Sequence, residues 1–210
     1  MTYVVAVHPS RSFAMSPDDA LSFAARSAIG HLTTLVGTTI ESSVVPFVIH
    51  ADPGSAILRG HLSAANRQVT SIDERAEALL IVDGPVAYVS PSLYPTKIET
   101  GKVVPTLNYI SVQLRGTLQP LSDDMEFRAL LSTLTDRFET PQRNPWSIND
   151  APEDYVRTQM KAIRGFSMRV EHVEGVGKYS QNRPDADQLS VRDAFRGGSD
   201  NERAIAEWMT

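Results

Sequence analysis

Hydrophobic and polar positions alternate most regularly from Val104 to Leu118. Ile110, Val112, Leu114 and Leu118 face one way there, and Ser111, Gln113, Arg115 and Thr117 face the other. A period of two held over that length predicts an antiparallel strand with one buried face. The pattern then changes: Phe127, Leu130, Leu131, Leu134 and Phe138 recur at spacings of three and four, which predicts a helix with Ser122 as its cap. Nearer the N-terminus, Ser16-Pro17-Asp18-Asp19 opens another helix. Ser16 is its cap, Pro17 takes the first helical position and the acids meet the positive end of the dipole. Leu21, Ala25, Ala28 and Ile29 share a face and carry that helix to about residue 30.

Runs rich in β-branched residues predict further strands over Tyr3–Val7, Leu32–Thr39, Val44–Ile49, Ala56–Leu62, Ala78–Val82 and Val86–Ser90. Turns are expected at Asp52-Pro53-Gly54 and at Asp83-Gly84-Pro85, from the fixed φ of proline and the freedom of glycine. Ser63–Gln68 reads as one or two helical turns, Pro91–Gly101 as a loop, and 140–152, with three prolines, as a linker. A weaker helix covers 153–163, Phe166, Met168 and Val170 alternate as a last strand, and Pro184 opens a helical tail.

Strands follow strands here and do not alternate with helices. The fold class is therefore mainly β with added helices (α+β), a barrel with helices outside it and not a doubly wound sheet. One domain over 1–210 is expected, with a helical segment at about 122–163 and a tail from about 184.

Charge narrows the functions. With 20 basic and 25 acidic side chains the net charge is −5, so direct DNA contact, which draws on phosphate neutralisation, has no support from charge. Cys is absent, which removes disulfides, thiolate metal sites and cysteine nucleophiles. With no apolar run as long as a membrane span and no targeting segment, a cytoplasmic protein is the expectation. The five His, at 8, 31, 50, 61 and 172, lack zinc-ligand spacing, so no metal is expected. G-x-G-x-x-G and G-x-S-x-G are also missing, and no catalytic acid or base stands out.

Several polar groups are candidates for holding a ligand. Arg59 and His61, two apart in a strand, point to one side with Gly60 between them; they suit a phosphate, or a solvated face with a surface ion pair. Thr106 and Asn108 fall on the core-facing side of the strong strand, where either a neighbouring loop or a ligand edge must satisfy them. Ser90 to Lys97 supplies hydroxyls and a cation after a strand, as a clamp or as an ordinary turn. Lys178, Ser180, Gln181 and Asn182 form a polar run that also suits a helix-capping turn before Pro184.

Five blocks carry a resemblance: Leu58–Asn66, Gly84–Tyr94, Gly101–Tyr109, Leu134–Glu139 and Lys178–Pro184. In that order they resemble the PaiB-type FMN-binding negative transcriptional regulators, from about residue 15 to about residue 190. Val86, Leu93 and Leu107 depart from the acid and aromatics usual in that family. The resemblance implies an antiparallel FMN-binding split β-barrel, related to pyridoxamine phosphate oxidases and flavin reductases, working as a homodimer with FMN at the subunit interface. It places Arg59, His61, Asn66, Ser90, Lys97, Thr106, Asn108, Lys178, Gln181 and Asn182 near the cofactor. The expected role is a negative transcriptional regulator or a flavin-dependent redox sensor. A flavin-dependent oxidoreductase and a flavin-free interaction module are the alternatives.

Overall fold

The computed structural model describes residues 11–52 and 54–209. In chain order the elements are α1 (Pro17–Ser27), β1 (Ile29–Val36), β2 (Thr39–Asp52), β3 (Ser55–Ser63), α2 (Val69–Asp73), β4 (Glu77–Val89), α3 (Thr96–Thr100) and β5 (Thr106–Pro120). The chain continues through α4 (Asp124–Glu139), α5 (Glu153–Met160), β6 (Ile163–Lys178), α6 (Asp185–Arg196) and α7 (Asp200–Ala206). No helix among the described residues is long and apolar enough to cross a membrane.

The described residues fall into two compact units. The first comprises Leu21–Val82 and Gln113–Val173. All six strands contribute to it, in the order β1-β2-β3-β6-β5-β4, and the sheet closes on itself. Its pairings are antiparallel: Leu35 lies opposite Ile40 across β1 and β2, His31 opposite Ile81 across β1 and β4, and Arg59 opposite Ser167 across β3 and β6. Leu32, Phe47, Leu58, Leu80, Leu114, Leu118, Phe166 and Met168 are fully buried in it. Outside the ring, α4 lays Phe127, Leu130 and Leu134 against Val48 and Leu121, a second apolar layer. Each such buried side chain contributes about 1.5–3 kcal/mol over its exposed state.

The second unit comprises residues 11–20, Asp83–Val112 and 174–209. It holds the remaining lengths of β4, β5 and β6 with α3, α6 and α7. Tyr94, Val89, Ile110, Val112, Val191, Phe195 and Ile205 are buried there.

The alternation along β5 is as expected: even positions from Asn108 to Leu118 are buried and odd ones are not. Other expectations need correction. The run Leu32–Thr39 is two strands, because Gly37 at φ +60° reverses the chain between β1 and β2. Asp83-Gly84-Pro85 is no turn but part of a continuous β4. Buried positions change from even (Ala78, Leu80, Val82) to odd (Ala87, Val89) across it, the shift that one extra residue in a strand produces and a place where proline is tolerated.

Ser63–Gln68 is turns, with the helix starting only at Val69, and the loop after Ser90 contains a 3-10 turn and α3. The first helix stops at Ser27, where Ala28 takes φ +55°. The cap of α4 is Asp123, which accepts from the Glu126 N–H at 2.9 Å, and not Ser122. Ser16 does cap α1, accepting from the Asp19 N–H at 3.1 Å. The expected strand Tyr3–Val7 and Pro53 of the expected turn lie outside the described residues.

Candidate functional site

In the first unit, β3 carries Arg59 and His61 on its outer face while Ala56, Leu58, Gly60 and Leu62 point into the ring. The two donors share a side, as their spacing predicts. The cross-strand neighbours of Arg59 are Val48 and Ser167, so the facing positions bring it no carboxylate. His61 is half-buried opposite Gly165, and its Nδ1 is buried with no hydrogen-bond partner. Burial pushes its pKa below the ordinary value, which keeps the ring neutral. Gly60 serves the core and not a ligand: a Cβ there would meet Phe166 and the Pro46 carbonyl oxygen, each at 2.8 Å. Asn66 is engaged locally, donating to Ser43 Oγ at 2.8 Å and accepting from the Gln68 N–H at 2.9 Å.

The second unit brings together residues far apart in sequence. Lys178, the last residue of β6, donates from Nζ to the hydroxyl of Thr106, the first residue of β5. Its ammonium also stands 5.5 Å from the centre of the Phe13 ring, within cation–π range. Asn108 is fully buried and hydrogen-bonds Ser180, so a neighbouring loop satisfies that amide. Ser180 reaches it from a left-handed backbone, φ +67°.

Gln181 is engaged at both ends of its amide. Its oxygen accepts from the Tyr179 N–H at 2.7 Å, and its nitrogen donates to the carbonyls of Gly177 and Ser12 at 2.6 and 3.1 Å. Ser90 caps the 3-10 turn Pro91–Leu93, accepting from the Ser92 N–H at 3.2 Å. Lys97 on α3 and Asn182 beyond β6 are exposed.

Three further residues of this unit are not singled out as site residues by the sequence, although Tyr94 and Arg183 lie in the blocks quoted above. Asp187 is fully buried in the first turn of α6, Arg183 grips it, and Tyr94 lies under the Arg183 guanidinium at 4.3 Å. Burial alone would raise the Asp187 pKa; two bonds from Thr96 and the charge and hydrogen bonds of Arg183 outweigh it and hold the carboxyl below the usual range. Burial also raises the Tyr94 phenol, and it pushes Tyr179 up to about 12 with help from the Asp19 carboxylate. The sequence signal for this group is faint, since an acid at a helix start ordinarily means only dipole compensation.

Each unit holds groups that suit a phosphate dianion: Arg59 and His61 in the first, Lys97 and Lys178 in the second, with Nδ1 of His61 lacking any hydrogen-bond partner. The polar ring edge is less well provided, because Asn108 and Gln181 already bond within the protein. A cleft of about 880 Å³ in the first unit, lined by Phe127, Met160 and Ile163 with Arg128 and Arg164, holds none of the ten expected residues. Arg128 and Arg164 pair with Glu153 and Asp73, while Arg157 and Lys161 add two further cations to its lining.

Comparison with known proteins gives the family and the fold. Residues 7–172 match the family described as "Putative FMN-binding domain". An uncharacterized protein of Emericella nidulans is 31% identical over 85% of this chain and 86% of its own. The protease synthase and sporulation protein PAI 2 of Bacillus subtilis is 28% identical over 72% of this chain and 71% of its own. Among solved structures, the flavocytochrome Anf3 of Azotobacter vinelandii superposes with a TM-score of 0.60 at 14% identity, covering 81% of this chain and 72% of its own, a likeness of fold. The chain belongs to the FMN-binding domain family and is a distant homologue of PAI 2.

Proposed function

We propose that this protein binds FMN as a homodimer and acts as a flavin-dependent sensor or negative regulator of the PaiB type. The observation that carries the reading is the pair Arg59 and His61, aimed out of the barrel side by side with His61 Nδ1 buried and unsatisfied. A buried polar atom left without a partner costs about 1–3 kcal/mol, which a phosphate oxygen would offset in the tautomer that carries the proton on Nδ1. Within the second unit, Lys97 and Ser90, and the Lys178–Thr106 pair, supply cations and hydroxyls of a kind that also suits an anionic ligand. Asn66, Asn108, Gln181 and Asn182 serve as framework around these donors or as contacts of the flavin's polar edge.

A bound flavin would supply one- and two-electron chemistry; the protein's part is to hold and tune it. The net charge of −5 gives direct DNA contact no support, so the regulatory role rests on the flavin and on protein partners. Support for a second copy comes from the outer face of β1 and β2, where Ile29, Leu35, Ile40 and Val44 are 48–75% exposed, Leu35 opposite Ile40 and Ile29 diagonal to Val44, with the Thr33–Ser42 pair between them.

The test is the absorption spectrum of purified protein mixed with FMN and then freed of unbound ligand. A yellow flavin spectrum retained with the protein is expected. A colourless protein that takes up no FMN refutes the reading. Sedimentation distinguishes monomer from dimer in the same sample.

A further inference from the structure

Asp187 uses both carboxylate oxygens. Oδ1 accepts from the Thr96 backbone N–H at 3.1 Å and from the Thr96 hydroxyl at 2.9 Å. Oδ2 accepts from Arg183 Nε at 3.1 Å and Nη2 at 2.7 Å, a two-point grip from one guanidinium. That guanidinium lies over the Tyr94 ring, and the Tyr94 phenol shares a hydrogen bond with Ser180. An ion pair whose carboxylate is buried while its guanidinium is 24% exposed is a weak source of stability, because desolvating the charges consumes much of their attraction; the best-attested use of such a pair is to fix register. What this pair fixes is plain from its partners. Thr96 begins α3 and precedes Lys97, while Arg183 follows the run Lys178–Asn182.

We propose that Asp187, with Arg183, is a positioning pair that locks the segment carrying Ser90 and Lys97 onto the segment carrying Lys178. The lock fixes where the Lys97 cation stands. The inference deepens the FMN reading and rests on it, since Lys97 is taken as a group that meets the anionic ligand. Lys97 is exposed on a five-residue helix, and by itself α3 is too short to hold a direction. Its ties are the Lys97 N–H bond to the Tyr94 carbonyl at 3.0 Å and the two Thr96 bonds to Asp187. With the lock closed, the backbone that carries Lys97 is placed before ligand arrives, and only the side chain's own ordering remains to be met on binding. With the lock open, α3 frays and the cost of ordering that backbone returns.

Wild-type protein is titrated with FMN and with riboflavin, which lacks the phosphate, beside Asp187→Asn, Thr96→Val and Lys97→Met. Asp187→Asn is expected to weaken FMN about tenfold and riboflavin less than about twofold; Thr96→Val, which keeps the backbone bond, weakens FMN about threefold. In a Lys97→Met background Asp187→Asn adds less than about twofold, because the group it positions is gone. Equal losses for both flavins, or an undiminished loss in the Lys97→Met background, overturn the proposal.

Hydrogen exchange supplies a readout that needs no ligand. Amides of Thr96–Thr100 exchange faster in Asp187→Asn while β1 to β3 keep their protection; unchanged exchange in α3 also overturns it. If Asp187→Asn fails to fold, Thr96→Val carries both comparisons. A wild-type protein that takes up neither flavin fails the functional reading instead, while the exchange result still decides the lock.

Discussion

Asn108 Nδ2 donates to Ser180 Oγ at 2.9 Å, joining β5 to a turn 72 residues further on, and both side chains are buried from water. A fully buried amide at a strand end is tolerable only because of that partner. Asn108→Ala therefore takes the Asn108 partner from the Ser180 hydroxyl, leaving it the Tyr94 phenol, and costs about 1 kcal/mol in a denaturant titration. Ser180→Ala costs a similar amount, and the double variant less than the sum, since both remove one interaction. Fully additive losses would refute the coupling.

Gly116 marks the tightest point of the barrel. A Cβ there would stand 2.0 Å from the Arg169 carbonyl oxygen, which is backbone and cannot swing aside. Gly116→Ala is expected to cost more than about 3 kcal/mol, beyond ordinary overpacking, and to leave the protein largely insoluble. Gly54→Ala is the control: φ is +79° but nothing lies near, so about 1 kcal/mol is lost. Expression and thermal unfolding of the two variants separate the cases.

His61 gives the fold an acid sensitivity. Burial lowers its folded pKa below the usual 6.5, so the unfolded chain binds the proton more readily than the native one. As pH falls through about 6.5 toward the lowered folded value, stability from this group is lost, at a slope of at most about 1.4 kcal/mol per pH unit; above about 6.5 it is fully present. His61→Gln should flatten that part of the stability curve. Saturating FMN should flatten it as well if the phosphate pairs with His61. Denaturant midpoints between pH 5 and 7.5 provide the check, and an unchanged slope in the variant would remove His61 as the cause.

Arg59→Ala removes one charge-assisted donor and no core contact, because Arg59 lies on the outer face of β3. FMN affinity is expected to fall about 10–100-fold, the value of a hydrogen bond to a charged group, while the unfolding midpoint stays within about half a kcal/mol of wild type. Flavin fluorescence titration measures the first and circular dichroism melting the second. Unchanged affinity would take Arg59 off the phosphate.

Local signals were legible where a single element decides them. The burial parity of β5 and the Ser16 cap of α1 are written in adjacent residues. The division of β1 from β2 was not, because Val36-Gly37-Thr38-Thr39 looks like one β-branched run until Gly37 takes a left-handed φ. Asp83-Gly84-Pro85 has turn composition, yet tertiary pairing keeps it in β4. In the candidate site, Arg59 and His61 could be read together since a strand fixes their common side. Asp187 could not, since its meaning lies in Thr96, 91 residues distant. Asn108 was flagged as needing a partner, but only the structure chooses Ser180 over a ligand.

The hydrogen atom that serves as the side chain of Gly60 settles more than local packing. Slipping β3 by one residue would push Arg59 or His61 into the space beside Phe166 and the Pro46 carbonyl, where not even a methyl group fits. The barrel interior thus acts as a ratchet that admits one setting of the strand. The two basic side chains are dealt to the outer surface by steric exclusion from within, whatever waits outside to receive them.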